Sequence, residues 1–173
     1  TDNNTVGVPS SGGAMSWTET EIGGETFRAR IENNMLRLHG CSSTTGTTGG
    51  TTNEQVAFDI SSKYPTTFSS TNTTLQWSFN MKSTRVGPSG FGTNTYATAV
   101  ILGSDDANFR SVNADGYAVI IGNASTPDPV KLVSFTGGLS TNANVTDVVA
   151  STQTGETRYY SIVVTLNTCT NVW

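Results

Sequence analysis

The stretch Tyr117-Ala118-Val119-Ile120-Ile121 limits this chain more than any other. It is dense in aromatic and β-branched residues and reads as a strand. Successive strand residues point to opposite faces, so Val119 and Ile121 share one face while Ala118 and Ile120 share the other. Both faces are apolar, and both must be covered. A strand of this kind belongs in the middle of a layered sheet, not at its rim. The residues before it, Asn113, Asp115 and Gly116, are turn formers. A carboxylate, Asp115, therefore stands at the mouth of a central strand.

The rest of the chain follows the same period of two. Leu75, Trp77, Phe79 and Met81 alternate with Gln76, Ser78, Asn80 and Lys82, the longest strict alternation present. Phe27, Ala29 and Ile31 alternate with Arg28, Arg30 and Glu32, and Leu36 and Leu38 with Arg37 and His39, around an Asn33-Asn34 turn. That hairpin is expected to bury its apolar face and show its charges. Val56, Phe58 and Ile60 predict another inward face. Further strands are expected at residues 14–20, 96–102, 130–135, 145–150 and 159–166, with one more begun at 171–173. Residues 42–53, a run of Ser, Thr, Gly and Asn, lack the apolar content to order themselves and read as a loop or covering flap. About ten strands with turn signals between them, and no window with helical spacing and caps, predict an all-β fold of two packed antiparallel sheets, a sandwich or jelly roll. The expected organisation is a lead-in over residues 1–13 and a single β-sandwich domain over 14–173. The pattern stops in mid-strand at Val172-Trp173, which predicts a last strand outside the sequence or one supplied by a neighbour.

Composition narrows the function classes. Charged residues are 13% of the chain, and Thr, Ser, Asn and Gly carry its polarity, as in secreted β proteins. With a net charge of −4 and nine scattered basic residues there is no nucleic-acid footprint, which needs clustered Lys and Arg. No apolar run reaches the roughly 18 residues of a membrane helix. Cys41 and Cys169 have no metal-type spacing. Paired, they would close a loop of roughly 130 residues and stabilise by about 4 kcal/mol in the chain-entropy model; the alternative is two buried thiols.

Several residues are candidates for chemistry. Asp105, Asp106, Asn108 and Asp115 offer the oxygen ligands that calcium prefers, against a plainer reading as solvated loop polarity. Phe91 and Phe109, in loops rich in glycine and asparagine, are candidate stacking platforms for sugar rings. Asp115 either accepts hydrogen bonds from sugar hydroxyls or bonds its own turn. His39 is the sole histidine and sits on the polar side of its strand, so a Ser-His-Asp triad has little support. Sequons stand at Asn3, Asn72, Asn123 and Asn144.

The Ala114-Asp115-Gly116 turn opening Tyr117 to Ile121, followed by Gly137-Gly138-Leu139, resembles the concanavalin A-like jelly-roll superfamily. The order of the Trp77 to Met81 strand, this central strand and a closing strand from Tyr160 to Leu166 is most similar to laminin-G-like jelly rolls of large secreted Bacteroidota proteins. The resemblance runs from about Trp17 to Trp173. It implies a jelly roll in which Asp115, with Gly116 beside it, contacts sugar hydroxyls. Two departures matter. Past Asp128 the only carboxylates are Asp147 and Glu156 and there is no histidine, so the metal pair of legume-type lectins has no ligand set. The alternating acidic strand of related glycosidases is also missing; Glu19 and Glu21, or Asp105 and Asp106, are the nearest pairs. The reading is a non-catalytic module of a secreted or cell-surface protein that binds a glycan or cell-surface polysaccharide, with calcium as a candidate cofactor. The alternative is a structural subunit that self-associates by strand addition or packs on neighbouring domains of its own chain. A polysaccharide-active enzyme ranks third.

Overall fold

A computed structural model describes residues 17–22, 30–32, 35–38, 53–59, 74–83, 87–92, 95–122, 128–154 and 157–173. Among them are ten strands and a 3-10 turn at Asn142–Asn144, with no α-helix. The strands are β1 (Trp17–Ile22), β2 (Arg30–Glu32), β3 (Met35–Arg37), β4 (Asn53–Phe58), β5 (Thr74–Met81), β6 (Thr98–Ser104), β7 (Gly116–Ile121), β8 (Pro129–Phe135), β9 (Val145–Thr154) and β10 (Tyr160–Asn167). All pairings are antiparallel. β6, β7, β8 and β9 form a four-stranded sheet in that order, while β5 pairs with β10, β1 with β4 and β2 with β3. The protein is all-β and sandwich-like.

β7 lies inside its sheet, flanked by β6 and β8, and is apolar on both sides as its sequence requires. Val119 and Ile121 face a core shared with Leu102, Val130 and Leu132 of their own sheet and with Met81 and Val164 of the β5–β10 ribbon. Trp77, Phe79, Tyr160 and Ile162 complete that layer from the ribbon side. On the opposite face Ala118 and Ile120 join Val133 and Phe135, covered by Ala114, Leu139 and the partly buried Phe91. The four-stranded sheet is thus covered twice, once by another sheet and once by loops. Fully burying a side chain the size of Ile121 stabilises by roughly 1.5–3 kcal/mol. Gly116 is required by this packing, since a Cβ there would run into the Gly103 carbonyl and the Phe135 ring.

Four expectations are corrected. Met35, Leu36 and Leu38 are exposed, so the apolar residues of β3, and Leu38 after it, do not form a core face. Among the described side chains of β4 the buried one is Gln55, while Phe58 is exposed; the amide is drawn inward because it has loop backbone to bond. The closing stretch does not run on as a strand. Val172 turns back to make one bridge with Asn167, and Trp173 packs against Trp77 (centroids 5.9 Å apart) and Tyr117 (4.6 Å). The lead-in at 1–13, the loop at 42–52, Ile60, His39 and Cys41 lie outside the described residues. Cys169 is exposed just after β10, where the reading of two buried thiols put it inside; its N–H donates to Asn167 Oδ1, and its pairing with Cys41 lies outside the described residues as well.

Candidate functional site

β6 and β7 pair up to Ser104 and Gly116, and the chain between them forms an eleven-residue loop, 105–115. Its neck is closed by two acidic residues. The Asp105 N–H donates to the Asp115 carbonyl at 3.2 Å, and the Asp115 N–H donates to Asp105 Oδ1 at 2.8 Å. Asp115 Oδ1 then accepts the Gly137 N–H at 3.0 Å, from the turn after β8. Asp115 therefore does not cap its own turn. It ties the mouth of β7 to a loop twenty-two residues away in sequence.

Turns hold the loop interior. Asp106 Oδ1 accepts from the Asn108 N–H at 2.8 Å and Asn108 Oδ1 from the Arg110 N–H at 3.2 Å. These are side chain to i+2 bonds, the reason Asp and Asn favour such positions. Further bonds brace the loop from outside. The Phe109 N–H donates to Gln55 Oε1 at 3.0 Å, and its carbonyl accepts from the Leu139 N–H at 2.7 Å. The Gly138 N–H donates to the Ala114 carbonyl at 2.8 Å. Gly137 and Gly138 hold φ of +78° and +79°, the left-handed region that glycine enters without strain. At Gly138 a side chain would also strike the Ser111 carbonyl.

The structure thus brings Asp105, Asp106, Asn108, Phe109, Asp115 and Gly116 to one end of the sheet. Asp105, Asn108 and Asp115 are exposed there, and Phe109 is half-buried. Phe91 plays another part. Its N–H donates to Asn142 Oδ1 at 2.7 Å, and its ring packs on the core beside Leu139 and Ala114. An aromatic ring in a glycine-rich loop went inward because the outer face of β7 and β8 needed cover. The sequon residue Asn144 is half-buried, and its Nδ2 donates to the carbonyls of Gly137 and Gly138. Gln55 is the site residue that strand alternation missed. It sits at a position that reads as outward-facing, and no signal in the sequence marks it as a brace.

As cation ligands the four candidate residues have oxygens to offer, but among the described residues no group of three or more His, Cys, Asp or Glu stands together as a metal cluster. Calcium would have to be completed by Asn108 and loop carbonyls. No helix among the described residues is long and apolar enough to cross a membrane. Set against known protein families, curated proteins and solved structures, the chain matches none of them.

Proposed function

We propose that this domain is a non-catalytic carbohydrate-binding or adhesion module of a secreted or cell-surface protein, with a jelly-roll fold of the concanavalin A-like, laminin-G-like kind. The observation that carries the reading is the Asp105–Asp115 neck. Both carboxylates are exposed, and each has one oxygen pinned by a backbone amide. Such a carboxylate loses little freedom when its second oxygen accepts a hydroxyl, so it is pre-organised for a polyol. The half-buried Phe109 offers apolar surface to the CH groups of a sugar in the same loop. Calcium, if it takes part, is held by the remaining oxygens of Asp105, Asp106 and Asp115 with Asn108.

The test is a short-oligosaccharide array run with calcium and with chelator. Wild-type protein is expected to bind at least one glycan. Asp115→Asn, which keeps an acceptor for the Gly137 N–H, should weaken that signal tenfold or more, about 1.4 kcal/mol. No binding at any calcium level would overturn the reading.

A further inference from the structure

The solvent face of the β5–β10 ribbon carries chemistry that the loop does not use. The two strands pair without a break from Thr74↔Asn167 to Tyr160↔Met81. Along both strands exposure alternates cleanly, and the exposed rungs are Thr74 with Asn167, Gln76 with Thr165, Ser78 with Val163 and Asn80 with Ser161. Seven of these eight side chains bear an amide or a hydroxyl, and none is charged, in a chain of net charge −4. The carboxylates Asp105, Asp106, Asp115 and Asp147 lie instead on or beside the four-stranded sheet. Past the last rung stands Tyr159, 60% exposed, with Lys82 Nζ 4.9 Å from its ring centroid.

An unbroken ribbon sets these groups at regular intervals. Outward side chains repeat about every 7 Å along each strand, so four rungs span roughly 20 Å. The partner must therefore be long, and the chemistry of the face selects its class. Nucleic acids and polyuronates demand a row of cations, and none of the eight rung side chains is one; Lys82 and the exposed Arg158 stand only past the end. A protein partner demands an apolar centre, and Val163 is the only apolar rung member. Uncharged amides and hydroxyls match an uncharged polyhydroxylated chain, and an exposed aromatic ring stacks on its CH faces.

We propose that this face is a track for an extended neutral polysaccharide lying along β5 and β10, with Tyr159 as the stacking platform at one end. The inference rests on the glycan reading for the class of ligand and assigns the polymer to a different surface from the loop neck.

Affinity electrophoresis tests it, in gels cast with a soluble β-glucan, a xylan or a galactomannan, and with a polyuronate as the acidic comparison. Wild-type protein should be retarded by at least one neutral polymer, more strongly as its chains lengthen. Gln76→Ala/Asn80→Ala should weaken retardation tenfold or more while melting as wild type does; Tyr159→Ala should weaken it as much, whereas Tyr159→Phe, which gives up only the hydroxyl's bond to Met35 Sδ, should keep it. Val149→Thr, on the other sheet, should leave it unchanged. Gln76→Lys, read separately, should also lose retardation by placing a charge on the track. Retardation unchanged in all the ribbon variants, by the polyuronate alone, or by no polymer, overturns the track. A positive oligosaccharide array alongside any of those results would leave the loop reading standing, and an empty array beside retardation lost only in the ribbon variants would sink the loop and keep the track.

Discussion

Gly137 and Gly138 share one backbone conformation, yet they are held to it for different reasons. Both have φ near +80°, where a β-carbon costs about 1–3 kcal/mol. At Gly137 the nearest atom to an added Cβ is Asn144 Nδ2 at 3.4 Å, an ordinary contact. At Gly138 it is the Ser111 carbonyl, rigid backbone of the braced loop, which would have to move. Gly137→Ala should therefore lower unfolding free energy by about 1 kcal/mol, and Gly138→Ala by clearly more, about 3 kcal/mol. Denaturant melts of the two variants side by side check this. Equal losses would mean that the approach of loop 105–115 to the turn after β8 is looser than described. The same comparison reports on Asp115, whose carboxylate holds the Gly137 N–H.

β9 shows how an exposed edge is managed. It is ten residues long, has β8 as its one neighbour among the described residues, and exposes Val148 and Val149. An edge like that invites strand addition, the route by which the sequence suggests self-assembly. Its register against β8 breaks twice, between Pro129 and Lys131 and between Leu132 and Val133. Bulges twist a strand and interrupt its outer row of donors and acceptors, which blunts the edge. A salt bridge of 2.7 Å from Lys131 to the half-exposed Asp147 contributes little stability, at most about 1 kcal/mol, but it places charge on the strand. Static light scattering on the domain should accordingly give a monomer mass independent of concentration. Oligomers growing with concentration would favour the self-associating subunit.

At the scale of the molecule, stability comes from one sheet covered on both sides. The first core joins it to the β5–β10 ribbon, and at the loop end that layer carries three aromatic rings, Trp77, Tyr117 and Trp173. The Trp77 indole N–H donates to the Leu102 carbonyl at 3.1 Å, just where the β6–β7 register shifts, so the bulge is satisfied from the opposite sheet. Trp173→Ala removes a half-buried ring in contact with two others and should cost about 2–3 kcal/mol. Thermal melts with near-ultraviolet circular dichroism measure it. A melting point equal to wild type would show that the ring rests on the core without closing it.

Alternation along the chain was enough to predict the all-β class and the central, two-sided place of β7. It also separated the inward row of Leu75, Trp77, Phe79 and Met81 from the outward row of the ribbon. These follow from one residue's local geometry, since a strand turns every second side chain the same way. The sequence also brought Asp105, Asp115 and their loop forward as the candidate site, because short polar side chains and glycine mark where strands must turn. What each group bonds to was decided only by the tertiary structure. Asp115 reaches Gly137, Phe91 covers a core, Gln55 turns inward to brace Phe109, and Leu36 and Leu38 stay outside. Each of those outcomes depends on which distant segment lies alongside, and a period of two says which way a side chain points but not what waits there.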